Sequence, residues 1–437
     1  MASAQLTRTP SSASNRRTWT WSGWIKRSKL GSGNQVLFEG IQGGFPEKLQ
    51  FTADDLLEYD HDIAGTDYTV NTVAAYRDVN AWYHIVWAKD TTQATETDRI
   101  KLYVNGTQIS LSESQLGYPG QNYEGAINNN VAHYIGANNG SEYFDGQMAH
   151  VHFVDGTALA PTAFGETDAT TGIWKPKTAP SVTYGTNGYF LKMDNSANMG
   201  LDSGGGSNNF TTSGTIIQTK DTPSNVFCTN NRLWKQESAR YANLSKINGL
   251  ISGAGSSTWY QLPGTLGFTK GKYYWECKFS AGTNLDKNTA GVIDYAKTQE
   301  DGQFQDKTGS VFYKNEDGGE TRIDGSTSSA DYGTLAQNDI LGVAVDMDAA
   351  TPTVKFYKNG SLLVTASAAS LAGKTVTPAQ TVYTSGEYSV NYGNGYFATS
   401  AVASAENPDD GVGIFEHDVP AGYRALCTKS LNAQEYS

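Results

Sequence analysis

Cysteine is scarce, with only Cys228, Cys277 and Cys427 in 437 residues, odd in number and far apart. Such a set supports neither a disulfide framework nor a CxxC-type metal site, so buried free thiols are expected. Charge is thin as well, at 17% of residues with a net of −12. No basic cluster exceeds Arg16-Arg17 and Lys26-Arg27. That excludes nucleic acid or an anionic membrane as the main partner, because phosphate binding needs a basic face. No hydrophobic run is long enough for membrane insertion. The opening MASAQLTRTPSSAS lacks an apolar core and does not read as a signal peptide. Sustained i, i+3, i+4, i+7 periodicity is also missing, so no major helix is expected.

What the chain has in quantity is Gly (47 residues) together with Ser, Thr, Asn and Tyr, the profile of a strand-and-loop protein. Residues 338–360, NDILGVAVDMDAATPTVKFYKNG, show the pattern most clearly. Leu341, Val343 and Val345, then Val354 and Phe356, alternate with their neighbours at the period of half-buried antiparallel strands. Asn359-Gly360 ends the run, and both residue types tolerate positive φ, a strong hairpin signal. The same ending, Asn105-Gly106, closes RIKLYVNG about 250 residues earlier. Two copies of one hairpin pattern predict two β-sandwiches in tandem.

Further strands are expected at 19–26, 35–39, 49–51, 81–87, 100–104, 133–135 and 147–154, with an acidic loop over 54–67 and a long loop over 112–130. At this point a resemblance becomes specific. WTWSGWIKR, WYHIVWAKD, RIKLYVNGTQI and YIGANNGSEYFDGQMAHVHFVDG, in this order, resemble a LamG/concanavalin-A-like lectin sandwich. TALAPTAFGETDATTGIWKP, YGTNGYFL and LDSGGGSNNF resemble a tail that follows this domain in proteins of marine bacteriophages, and DTPSNVFC resembles the junction to the next module. GKYYWEC, residues 309–313, the 339–360 stretch and residues 388–397 resemble a SPRY-type sandwich, which closes on AGYRAL after an apparent insertion at 399–419. LamG domains of this group usually begin with a strand before the Leu-Thr-Arg-Thr-Pro phrase. Here only a few residues precede Leu6, so that strand is expected to be short or absent, and the sheet edge near Met1 to be either open, free for a virion subunit or a second copy to pack on, or covered by something else.

Chemistry-bearing residues are few. His84 lies inside an alternating strand and reads as structural. His150 and His152 share a face at period 2 and, with Asp145 or Asp155, could ligate a metal; packing histidines are the favoured reading. Retaining glycosidases want two carboxylates about 5 Å apart, often in a Glu-x-Asp-x-x-Glu strand array. Glu166-Thr167-Asp168 lacks the third acid, and Glu416-His417-Asp418 lies in the apparent insertion. No Gly-x-Ser-x-Gly elbow is present, and Gly204-Gly205-Gly206 lacks the Lys-Ser/Thr ending of a phosphate loop and reads as a flexible connection. Asp54, Asp55, Asp60 and Asp62 could offer oxygens to Ca²⁺, as some LamG domains do at the sandwich rim, but not at the spacing of a defined calcium loop. No metal site and no cofactor are expected otherwise. What remains is recognition by loops, where aromatic faces stack on sugars and Asn groups read hydroxyls. Tyr118, Asn122 and Tyr123 are the candidate ligand-binding residues, with packing against a neighbour as the alternative.

The expected organisation is a LamG/concanavalin-A-like domain at 1–180, an extended Gly/Ser/Asn-rich connection at 181–220 and a SPRY-like β-sandwich at 221–437. The fold class is all-β. The resemblance implies a non-catalytic bacteriophage virion surface protein, of tail-fibre or adhesin type, that binds host-surface glycans or receptors. It would be made in the host cytoplasm, act in the virion, contact other virion proteins and assemble as a homo-oligomer in the particle. A capsid or tail decoration protein is the alternative, and a polysaccharide-degrading enzyme stands behind both.

Overall fold

The computed structural model describes residues 4–31, 33–169, 172–231, 234, 251–252, 259–281, 285–328, 330–383 and 386–435. The chain divides into two compact units, residues 1–218 and 219–437. Both are β-sandwiches, as the alternation predicts.

In the first unit the described strands form an eight-stranded sheet. Its spatial order is Leu111–Gln115, Thr66–Ala75, Leu56–Ile63, Phe45–Phe51, Gln35–Gln42, His133–Ile135, Gln5–Arg8, Thr211–Ser213. A six-stranded sheet faces it, in the order Tyr189–Leu191, Gly146–Asp155, Thr18–Arg27, Tyr83–Asp90, Ile100–Val104, Thr107–Ile109. The period-2 residues meet in one core: Trp19, Trp21, Ile85, Trp87 and Leu102 from one sheet, Phe38, Leu49, Tyr59 and Val70 from the other. Three fully buried indoles anchor it, each removing roughly 150–250 Å² from water.

Several expectations need correction. The edge near Met1 is not open: Leu6 pairs with Ile135 on one side and with Thr212 on the other. The covering strand Thr211–Ser213 comes from 181–220, expected as an extended connection, of which residues 181–218 instead belong to the first unit. Tyr189–Leu191 of the same segment pairs with Gly146–Asp155. Nor is the triple glycine a flexible link, because the Asp202 carboxylate beside it accepts N–H bonds from Phe190 (2.9 Å), Gly204 (2.7 Å) and Asn208 (2.9 Å). Residues 54–67 form most of a hairpin rather than an acidic loop. Leu57 and Tyr59 point into the core while Glu58 and Asp60 alternate outward, so the acids mark one strand face.

In the second unit, Ile251–Ser252, Glu387–Asn391, Lys272–Ala281, Ile340–Asp346, Thr353–Lys358 and Ser361–Ser367 lie side by side. Arg424–Ala425 pairs in parallel with Lys272–Ala281. Facing this sheet are Trp259–Pro263, Val376–Tyr383, Thr289–Asp294, Ser310–Lys314, Glu320–Ile323 and Ser326–Thr327. Val343, Val345, Val354 and Phe356 fill the core, as expected. Asn359-Gly360 turns the chain into the next strand, Ser361–Ser367, so it serves the second of two successive hairpins. The apparent insertion at 399–419 is fastened by a buried acid. Glu276, on the central strand Lys272–Ala281, accepts the N–H groups of Glu416 and His417, each at 2.9 Å. An eight-residue helix, Thr428–Glu435, returns to that strand: the Gln434 side chain accepts the Lys272 N–H (2.7 Å) and donates to its carbonyl (3.1 Å).

Candidate functional site

The loop carrying Tyr118, Asn122 and Tyr123 is clamped by residues that lie just beyond the ends of several strands. Arg99 donates through Nη1 to the Pro119 carbonyl (3.0 Å) and through Nη2 to that of Ala94 (2.9 Å). Asn122 N–H donates to the Thr91 carbonyl (2.7 Å), while the Thr91 hydroxyl donates to the Tyr123 carbonyl (2.9 Å). Arg16 holds the descending limb through the Gly125 (2.7 Å) and Glu124 (3.0 Å) carbonyls, and donates to Gln42 Oε1 (2.7 Å). Arg17 pairs with the Glu124 carboxylate at 2.9 Å. A loop tied at this many backbone points keeps one shape without a ligand.

Beneath the loop lies a buried ion pair. Glu47 accepts from Lys89 Nζ (2.6 Å), Tyr59 Oη (2.6 Å) and the Ile127 N–H (2.8 Å). Burial alone would push the Glu47 carboxyl up; the three donors outweigh it and hold the group below the usual carboxylate range. The Lys89 ammonium also lies 5.1 Å from the centre of the Tyr123 ring and 5.5 Å from that of Trp19. His61, buried beside Tyr59, lies 4.8 Å from the Tyr123 ring and 5.0 Å from that of Tyr68, and its burial pulls the imidazole down to about 4. Composition did not reveal Glu47 and Lys89, but alternation carries a signal. Each shares the strand face of apolar core residues, Glu47 with Leu49 and Phe51, Lys89 with Ile85 and Trp87.

The three candidate residues divide. Tyr123 is half-buried, seated on His61 and Lys89 with part of its ring exposed. Asn122 is exposed beside it in the left-handed region (φ 61°). Tyr118 packs against the core, and no ring contact joins it to Tyr123 among the described residues. Two further apolar side chains, Phe45 and Ile63, stand 38% exposed on the strands that carry Glu47 and His61, two residues along on the same faces.

The other candidates are engaged elsewhere. Asp55 pairs with Arg27 (2.9 Å) and Arg77 (2.8 Å), Asp60 with Lys48 (3.4 Å), and Asp62 accepts the Gly65 N–H (2.7 Å), so these three of the four aspartates are engaged with separate partners. Asp155 accepts from Asn128 Nδ2 (2.6 Å) and the Asn187 N–H (3.1 Å). His150 and His152 do come together, their rings 6.4 Å apart with His150 5.4 Å from Phe190, although the pairing shifts between Ala149 and His152 and His150 adopts φ 49°. His152 stacks on Phe190 at 4.0 Å. His84 stacks between Trp24 (4.8 Å) and Trp174 (5.9 Å). The Trp174 indole donates to Nδ1 (3.0 Å), which leaves the proton on Nε2 to donate to Ser22 Oγ (2.9 Å). A pocket lined by Arg8, Asn128, His133, Asn187 and Tyr189 measures about 10 Å³, room for roughly one water.

No curated protein matches the chain. Among solved structures, the SPRY domain of human HERC1 is 21% identical, covering 32% of this chain and 85% of that one, with a TM-score of 0.28. The TRIM65 PSpry domain is 16% identical over 37% and 89%, with a TM-score of 0.30. The native heptameric SAP-like pentraxin from Limulus polyphemus is 14% identical over 37% and 73%, with a TM-score of 0.28. At such scores the likeness is no guide to function. Residues 2–163, which hold the clamped loop and the ion pair beneath it, match the family described as the concanavalin A-like lectin/glucanases superfamily.

Proposed function

We propose that the chain is a non-catalytic surface protein of a bacteriophage virion, of tail-fibre or adhesin type, whose first unit binds host-surface glycans at the clamped loop. The observation that carries this reading is the seating of Tyr123. Its ring is fixed from below by His61 and Lys89, partly exposed above, and flanked by the exposed amide of Asn122. A fixed aromatic face with a polar reader beside it suits the C–H face and hydroxyls of a sugar, and its fixation precedes binding. The carboxylate below it is already saturated by three donors, which favours binding over catalysis. The match of residues 2–163 to a lectin/glucanases superfamily supports a carbohydrate- or protein-binding role. The phage assignment, and with it the virion location and partners, is supported by the ordered succession of motifs through both units.

A second reading, a decoration protein that binds other virion proteins, is favoured by one observation. Val73 and Leu116 are 79% and 68% exposed at the outer end of the eight-stranded sheet, where an edge strand can pair with another chain. A glycan array probed with the wild-type protein and with Tyr123→Ala tests the first reading. Wild-type binding that Tyr123→Ala abolishes is the expected result, and no glycan above background overturns it. Imaging of labelled protein over the capsid lattice would favour the second.

A further inference from the structure

The outer face of the eight-stranded sheet, opposite the core, carries a set of acceptors with nothing to accept. Strand register aligns Tyr134, Glu39, Lys48, Asp60 and Thr69 in one row across five strands, with Gln50, Glu58 and Asn71 in the next row. Glu39 is completely buried, and among the described residues neither of its carboxylate oxygens has a hydrogen-bond partner. Gln50 Oε1 and Asp60 Oδ1 are buried and unpartnered too, although Gln50 Nε2 donates to Glu58 Oε1 at 2.6 Å. Four acceptor atoms on one sheet face therefore lack donors, where buried polar groups normally find them.

One side chain stands in for the missing donor. Lys48 lies in the row between Glu39 and Asp60, and its ammonium reaches Asp60 Oδ2 at 3.4 Å and Glu142 Oε2 at 3.5 Å. Charge-assisted bonds in good geometry run at about 2.7–2.9 Å, so these contacts are loose. Glu142 arrives on the loop after His133–Ile135, held by Asn138 Nδ2 at 3.0 Å. The ammonium is a poor fit to a site that three strands and a loop build. A bound metal ion does not explain the arrangement, since no group of three or more ligating side chains among the described residues could hold one. Glu39, Gln50 and Asp60 come from three adjacent strands and face the same side of the sheet, and several acceptors on one face suit a planar ligand with several N–H donors.

The geometry points to a binding site for a guanidinium group on this face, with Glu39, Gln50 and Asp60 as acceptors and Lys48 as the internal cation that the ligand displaces. This site is separate from the Tyr123 loop and does not rest on the glycan reading. Its test is calorimetric titration of the full chain at about pH 9, where Glu39 is ionised, with propylguanidinium, and with propylammonium and the uncharged propylurea alongside. Propylguanidinium is expected to bind at one site, more tightly than propylammonium, and propylurea not to bind. Lys48→Met, which removes the competing ammonium while keeping a long side chain, should tighten binding about tenfold. Glu39→Gln, nearly the same shape, should weaken it about tenfold in a protein whose circular dichroism is unchanged. Equal binding of propylurea and propylguanidinium, or affinities unmoved in both variants, overturns the assignment.

Discussion

The backbone of Gly125 passes directly over the Glu47 carboxylate: a β-carbon at residue 125 would lie 1.8 Å from Glu47 Oε2. Loop and ion pair are thus fitted to each other at one point without a side chain. Gly125→Ala forces either the loop to lift or the carboxylate to leave Lys89 and Tyr59. The expected loss is about 3 kcal/mol or more, of the kind that follows disruption of a buried charged network. Urea unfolding measures it, and a change below about 0.5 kcal/mol would show that the loop yields freely.

The ion pair itself predicts a non-additive pair of substitutions. Lys89→Met leaves the Glu47 carboxylate buried without its cation and should cost about 3–5 kcal/mol. Glu47→Gln leaves the ammonium stranded in the same way. The double variant removes both charges, so its cost should fall short of the sum by about 1–3 kcal/mol. Additive losses in a double-mutant cycle would mean that the two charges do not stabilise each other.

Much of this architecture is legible from local chemistry. Alternation places Val343, Val354 and Phe356 in the core, and Asn-Gly places both hairpin turns, because each signal depends on residues a few positions apart. The closure of the edge beside Leu6 is not legible in that way. Its partner Thr212 lies in a short polar segment more than 200 residues away, with no periodicity to mark it as a strand. The candidate loop stands out in the sequence by its Tyr and Asn content, yet only the fold separates Tyr123, seated over Lys89, from Tyr118, packed on the core. Glu39, Glu58 and Asp60 read as ordinary surface acids until register aligns them.

Those outward acids and the buried histidines pull stability in opposite directions with pH. Burial holds His61, His84 and His133 at about 4, 3 and 4, against an ordinary 6.5. The unfolded chain therefore takes up these protons first, and stability falls as pH drops below about 6.5 toward 3. Burial raises Glu39 from 4.5 to about 8 and Asp60 from 3.8 to about 7. There the folded state keeps protons that the unfolded chain releases, so stability falls as pH rises from about 4 to 8. Above pH 6.5 only the acids act, and the first unit should lose stability between pH 6.5 and 8.5. Glu39→Gln removes the largest of these titrations and should recover about 2–4 kcal/mol at pH 8.5 relative to the wild type. Thermal melts at the two pH values measure this, and equal pH dependence in both proteins would exclude Glu39 as its source.

In the second core, Phe356 is fully buried, with its ring 5.5 Å from that of Tyr313. Phe356→Ala opens a cavity and should cost about 3–5 kcal/mol. Asp348, at the turn before Thr353–Lys358, accepts the Gly271 N–H at 2.8 Å. Asp348→Ala should therefore cost only about 1 kcal/mol and leave ligand binding unchanged. Loss of binding in folded Asp348→Ala protein would place function in a hairpin that otherwise serves as scaffold.

The two Asn-Gly turns are built alike, and that likeness sets the last prediction. Asn105 has φ 49° and its Oδ1 accepts the His84 N–H at 2.8 Å; Asn359 has φ 47° and its Oδ1 accepts the Ile340 N–H, also at 2.8 Å. In each unit the asparagine side chain supplies a bond that extends the ladder of the preceding strand. Alanine loses that bond, about 1 kcal/mol, and also strains the left-handed backbone by about 1–2 kcal/mol. Glycine loses the bond alone. Asn359→Ala should thus cost about 2–3 kcal/mol and Asn359→Gly about 1 kcal/mol, with the same ranking for Asn105. Urea unfolding of the four variants separates the two contributions. Equal costs for Ala and Gly would show that the side-chain bond, and not the left-handed backbone, governs the turn.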